Sequence, residues 1–381
     1  MNFIKLLLFV LTMGLMNLSC NREKAPYQLI PESNFDTIID GKQVKLFTLV
    51  NDHNLVAQIT NLGGRVVSLW VPDRNGTFSD IVLGFDSPEA YLQANEKYFG
   101  ATIGRYGNRI ANGHFILDDK EYTLARNNGP NHLHGGKKGF CDVVWSVMEH
   151  SDNTLTLSYK SEDMEEGYPG NLMVKVRFEL TNNDELKIEY WAKTDKATPV
   201  NLTHHSFFNL LGAGKGSINN HELMINAYHY TPVDETLIPS GEIASVSQTP
   251  MDFTQSTAIG SRIDHDFTQL KYGKGYDHNW VLNPDSTKLN FAARVNEKST
   301  GRILEVYTNE PGLQFYGGNF LDGQDKGKNN LPYEFRTAFC LETQHFPDSP
   351  NHDNFPSTIL EPEQNYYSIC IYRFKTDAFE N

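Results

Sequence analysis

Residues 174–190 read VKVRFELTNNDELKIEY, and their alternation decides the fold class. Val174, Val176, Phe178 and Leu180 alternate with Lys175, Arg177 and Glu179. A period of two gives a strand one apolar face and one wet face. Thr181 to Asp184 supplies turn residues, and Leu186, Ile188 and Tyr190 then resume the alternation, so the stretch predicts an antiparallel hairpin. The pattern returns in Leu155, Leu157 and Tyr159, and again in Ile303, Leu304 and Val306 beyond a turn at Glu297 to Gly301. Helical signals are few; the best is Ser87, Pro88 and Glu89, a cap and first-turn proline opening a turn or two toward Leu92. The expectation is a mostly antiparallel, all-β protein.

Composition agrees. The 381 residues carry 47 acidic and 33 basic side chains, a formal charge of −14, which argues against a partner that needs a basic face, nucleic acid above all. With 29 glycines, 17 prolines and 39% apolar residues the chain is neither collagen-like nor disordered, and it can bury a large core. Aromatic residues at 12% favour strands and surfaces on which a ligand ring can stack. No internal repeat or low-complexity tract divides the chain, so a single domain from Phe35 to residue 381 is the simplest organisation.

The amino terminus stands apart. Lys5 precedes an apolar run from Leu6 to Leu18 that is short for a membrane span and reads as a secretory signal over residues 1–19. Cys20 directly follows, as in a bacterial lipoprotein signal, where cleavage leaves the cysteine as the lipidated first residue. Asn17 departs from the aliphatic residue usual in that motif, and plain secretion or a transmembrane anchor are the alternatives. Residues 20–34, polar with two prolines, read as a tether. The expectation is an exported, monomeric protein, periplasmic or held at the outer membrane, with membrane contact only through Cys20. Cys141, Cys340 and Cys370 remain, an odd number that reads as buried free thiols.

Chemistry concentrates in three polar clusters. Asn131, His132, Leu133, His134, Gly135 and Gly136 set two imidazoles beside glycines that let the backbone approach a ligand. Asn201 to Ser206 adds His204 and His205. A three-histidine metal site can be drawn from these, but no Cys/His or His-x-x-x-His spacing supports it, and hydrogen-bonded strand-end histidines are the plainer alternative. The third cluster, Leu341 to Asp348, places Glu342 directly after the apolar Ala338, Phe339 and Cys340. A carboxylate at the end of a buried strand is costly unless it is used, which makes Glu342 a candidate general base; a structural pair with Arg109 is the alternative.

Seven segments in this order resemble the galactose mutarotase (aldose 1-epimerase) family. They are FGATIGRYGNRI (99–110), NNGPNHLHGG (127–136), NLTHHSFFNL (201–210), YTPVDETLIPSG (230–241), YDHNW (276–280), LEVYTNEPGLQFYGGNFLDG (304–323) and LETQHFPDSP (341–350). The resemblance covers Phe35 to Lys375 and implies a large antiparallel β-sandwich with an open cleft across one sheet. It implies Glu342 as general base and His205 as general acid, with His134 near the sugar ring and Asn108, Arg109, Asp277 and Gln314 fixing hydroxyls. The substrates implied are small aldoses such as galactose and glucose. Exchange of their anomers needs a proton removed from the C1 hydroxyl and one given to the ring oxygen, so no cofactor or metal is expected. Acidic neighbours such as Asp277 are expected to hold the imidazole of His205 charged.

Two positions depart from the family pattern: His204 stands where Asn is usual and Phe207 where Tyr is common. Either is expected to tune the acid or the cleft shape. Trp280, Phe346 and Tyr168 read as aromatic loop residues that could pack on an apolar sugar face, with ordinary core or rim packing an equal alternative for each. The rival readings are a non-catalytic sugar-binding lipoprotein, which has no use for a matched acid and base, and a glycoside hydrolase with Asp277 as second carboxylate. A hexose-6-phosphate epimerase would need a basic cluster, which Arg105, Arg109 and Lys137 do not clearly make.

Overall fold

The computed structural model describes residues 27–284 and 289–377; the signal and Cys20 lie outside the described residues. The predicted hairpin is present as Leu172–Thr181 paired with Glu185–Thr194, in register from Leu172↔Thr194 to Thr181↔Glu185. It lies within a nine-stranded antiparallel sheet ordered Ser146–His150, Thr154–Ser161, Leu172–Thr181, Glu185–Thr194, Tyr366–Thr376, Arg302–Thr308, Asn290–Glu297, Glu222–Ile225 and Thr257–Ala258. Val174, Val176, Phe178 and Leu180 are buried as the alternation requires. The wet face is laced with ion pairs such as Lys187 to Glu179 and Arg373 to Glu185.

The apolar face packs on two smaller sheets, so the architecture is a sandwich. One has four strands, from Leu46–Val50 to Phe78–Asp80; the other has five, ordered Ala244–Ser245, His229–Thr231, Asp277–Val281, Gly312–Tyr316 and Cys340–Gln344. Leu313, Phe315 and Leu341 of the five-stranded sheet share one core with Val174, Val176, Ile188 and Tyr190. Tyr372 Oη ties the layers by donating to the Leu341 carbonyl at 2.8 Å. The predicted helix spans Pro88–Gln93, with the Ala90 N–H donating to the Ser87 hydroxyl.

The described residues begin inside the stretch read as a tether. Tyr27 packs tilted against Trp70 and edge-on to Phe78, and the Ile30 N–H donates to the Gln58 side chain at 2.9 Å. Cys141, Cys340 and Cys370 are buried free thiols, as the odd count suggested.

Candidate active site

The site follows from strand parity. On Cys340–Gln344, Leu341 joins the inter-sheet core, so Glu342 projects from the opposite face. Gln314 is directly opposite Glu342 on the neighbouring strand, and Asn279 opposite Gln314 on the next. Asp277, two residues before Asn279, therefore shares that face, and Gln314 Nε2 donates to Asp277 Oδ1 at 2.7 Å. His205 arrives on Thr203–His205, a short strand paired with Ala101–Ile103. Its Nε2 is 3.5 Å from Glu342 Oε1. The imidazole is stacked on Phe207 at 4.8 Å and faces Tyr98 and His134 at 5.8 and 5.2 Å between ring centroids.

Buried polar groups hold the clusters together. The Asn201 amide donates to the carbonyls of Gly107 and His345, and its oxygen accepts the His345 N–H at 3.0 Å. The Asp348 N–H donates to the Arg109 carbonyl, while the Asp348 carboxyl accepts the Ala111 N–H. Segments more than 200 residues apart in sequence thus converge on one wall. Asn108 and His134 both have positive φ, of 64° and 50°, a conformation non-glycine residues adopt chiefly where surrounding structure imposes it. The Asn108 N–H donates to His134 Nδ1 at 3.1 Å. Gly135 follows because a Cβ there would lie 1.8 Å from the Gly104 carbonyl oxygen.

Glu342, His205, His134, Asn108, Arg109 and Asp277 all line one cleft of about 710 Å³. Gln314 stands behind it, bonded to Asp277. Burial sets the electrostatics. It pushes the Glu342 carboxyl well above the usual range, with Asp277 and Glu96 adding to the effect and Arg109 opposing it. It pushes His205 down to about 3 and His134 well below the ordinary imidazole value. The expectation that Asp277 holds His205 charged is corrected: desolvation dominates and opposes the charge on each member of the pair.

His134, His205 and Glu342 each offer a ligand atom, all within 4.8 Å of one another, a spacing that a cation can bridge. The hydrogen bonding of His134 opposes this. Its Nδ1 lone pair is taken by the Asn108 N–H, which leaves the proton of the neutral ring on Nε2 and no free lone pair on either nitrogen. His134 is thereby a fixed N–H donor, not a metal ligand.

A family model described as aldose 1-epimerase matches residues 45–373. The chain belongs to the aldose 1-epimerase family. It is 47% identical over 339 residues to galactose mutarotase from Bos taurus, covering 89% of this chain and 96% of that protein. It is 38% identical over 337 residues to aldose 1-epimerase from Escherichia coli K12, covering 88% and 96%. Among solved structures, an aldose epimerase homologue from C. elegans superposes with a TM-score of 0.81 at 29% identity, over 87% of this chain and 99% of that one. Galactose 1-epimerase from Lactobacillus acidophilus gives 0.77 at 27% identity, over 89% and 97%.

The structure also places the other residues singled out in the sequence. Arg109 forms no ion pair with Glu342 among the described residues; its Nε donates to Asn128 Oδ1 at 3.1 Å. His204 does not shape the cleft: strand parity turns it away from His205, against Phe178 and Tyr372, with Nε2 at 2.7 Å from the Ser206 hydroxyl. His132 is structural, held between the Ala125 carbonyl and the Tyr168 hydroxyl. Trp280 and Phe346 are core residues, and Tyr168 is buried on His132, so none of the three meets a sugar. Arg105 is buried, its guanidinium spent on carbonyls of residues 161–170, and offers nothing to a phosphate. The aromatic lining comes instead from Tyr98, Tyr272, Tyr316 and Phe320. Tyr316 was accessible to sequence reasoning, since it lies two residues beyond Gln314 on the same strand face. Glu96, also in the lining, precedes the family segment and carries no periodic signal.

Proposed function

We propose that this protein is an isomerase that interconverts the α and β anomers of aldoses such as galactose and glucose, with Glu342 as base and His205 as acid. The observation that carries the assignment of roles is their 3.5 Å approach on the wall of one cleft. Ring opening takes the proton of the C1 hydroxyl onto Glu342 and delivers the His205 proton to the ring oxygen. The starting pair is carboxylate and imidazolium; the product pair is carboxylic acid and neutral imidazole, so the pair holds one proton throughout. Burial opposes the charge on each group of the starting pair, and ring opening discharges both. Rotation about C1–C2 presents the other carbonyl face, and the two groups close the ring in reverse. His134 donates from Nε2, while Asn108, Arg109 and Asp277 orient hydroxyls, with Gln314 bracing Asp277.

The test is polarimetry. The mature protein should accelerate the optical-rotation change of freshly dissolved α-galactose and α-glucose, with or without a chelator. No acceleration above buffer would remove the assignment, and zinc-restored loss with a chelator would reassign the histidines. We further propose that the reaction takes place outside the cytoplasm with Cys20 as a lipid anchor, on the motif at residues 6–20. Labelled fatty acid fed to cells should enter the wild-type protein and not Cys20→Ser; an unlabelled soluble product means plain secretion.

A further inference from the structure

Ring opening starts from a protonated His205 in surroundings that resist the charge. The imidazole is buried, and burial and the Arg65 guanidinium both oppose protonation, with the residue's own backbone acting in favour. Glu342 lies 3.5 Å from Nε2. Nδ1, where a second carboxylate commonly supports an imidazolium, has no side-chain partner among the described residues. What the imidazole does have is aromatic faces. Phe207 lies two residues on, so the two side chains share one side of the chain, and its ring is stacked on the imidazole at 4.8 Å with 25° between the planes. Tyr98 is stacked on it at 5.8 Å and 28°. Both distances fall inside the roughly 6 Å over which a cation is drawn to the negative face of an aromatic ring. Phe207 is fully buried and is held in turn by Phe99 at 4.5 Å and edge-on by Tyr316 at 6.0 Å, which fixes the direction of its face.

Resting on the mutarotase reading, we propose that Phe207 and Tyr98 are positioning residues that hold His205 in its acid form, by presenting aromatic faces to the imidazolium where a second carboxylate is missing. Neither ring gives or takes a proton; both act through His205. Burial keeps the Tyr98 phenol protonated, and the Tyr316 phenol, edge-on to the imidazole, likewise. The other titratable neighbours do not supply the missing support. His134 is a neutral N–H donor 5.2 Å away between centroids, and His204, on the opposite face of its strand, is pushed down to about 3 by burial. Asp277 and Glu96 bear on Glu342, raising it further. An aromatic face favours the cation without accepting its proton, so the imidazolium is stabilised while its N–H stays free to be given to the ring oxygen.

The experiment is made at Phe207, which, unlike Tyr98, is not in the cleft lining. Phe207 is replaced by 4-fluoro-, 3,5-difluoro- and 3,4,5-trifluorophenylalanine, which keep the ring's shape and drain its face of negative potential step by step, and kcat/KM for α-galactose is followed by polarimetry across pH. Weaker faces let the proton shared by the pair leave at lower pH, so the alkaline limb should step down with each fluorine, by about 0.7 unit in all. Activity above the limb then falls about fivefold, while the plateau below it stays within about twofold of wild type. Phe207→Leu should move the limb at least as far, and Phe207→Tyr, which keeps a ring face, should leave it in place. An unmoved limb across the fluorine series, a uniform loss at every pH, or equal shifts for leucine and tyrosine overturns the proposal. Should Phe207→Leu not fold, the fluorinated rings decide alone. Absence of turnover by wild type would sink the mutarotase reading; wild-type turnover with an unmoved limb would sink only the role of the aromatic faces.

Discussion

Glu342→Gln separates chemistry from architecture at the centre of the cleft. The amide has the volume of the carboxyl, so no cavity opens around a side chain that is 2% exposed. Its oxygen can still face His205, 3.5 Å from the wild-type Oε1, and its NH2 group can occupy the place of Oε2, which has no partner to lose. What disappears is the lone pair that takes the C1 hydroxyl proton at modest cost. A well-placed proton acceptor contributes on the order of 10²- to 10⁴-fold, or about 3–5 kcal/mol of barrier, so kcat should fall by that factor while KM stays within a few-fold. The fold should respond in the opposite sense. Burial raises the folded-state pKa of Glu342, so its protonated form stabilises the fold below the unfolded value of ~4.3, and that stabilisation is lost as pH rises through the folded value. The amide does not titrate. Urea unfolding should therefore find the variant gaining on wild type between acidic and neutral pH. Polarimetry that leaves kcat within a factor of a few in a natively folded variant would refute the assignment of the base. A variant that loses ground to wild type between acidic and neutral pH would refute the desolvation argument.

Two further substitutions probe the frame. His204→Asn restores the residue usual in the family at a position facing the core. It should cost about 1–3 kcal/mol in urea unfolding through lost packing on Phe178 and Tyr372, yet change kcat/KM by less than about tenfold. Arg105→Met strips buried donors from the carbonyls of Ser161, Glu162, Pro169 and Gly170 and should destabilise by at least about 3 kcal/mol, read as a lowered urea midpoint with unchanged slope.

The hairpin at 174–190 was legible because one of its faces meets water, which writes the period of two into the residue types. The strands that build the cleft were not legible in that way. Cys340–Gln344 and Gly312–Tyr316 are buried along their whole lengths, so polar and apolar residues no longer report inside and outside. Glu342 drew attention through the cost of burying a carboxylate, and the family resemblance supplied His205, Asn108, Arg109, His134, Asp277 and Gln314. Glu96 was invisible to both arguments, since it sits in a non-repetitive loop whose geometry depends on Asp325, more than two hundred residues away.

Parity explains the errors as well as the successes. Trp280 looked like a loop aromatic, but it lies on Asp277–Val281, where Asp277 and Asn279 occupy the cleft face and His278 and Trp280 the core face. His204 and His205 are neighbours in sequence and therefore opposites in space. The same rule makes the site brittle in one specific way. Gln314 is opposite Glu342 and Thr203 opposite Ile103; a slip of one residue in the pairing of Cys340–Gln344 would carry Leu341 into the cleft and bury Glu342 among Val174, Val176 and Phe315. That exchange costs both an apolar contact and an uncompensated carboxyl. The hydrophobic residues flanking Glu342 thus act on the chemistry at a distance, by making any register other than the one that delivers the carboxyl to His205 too expensive to populate.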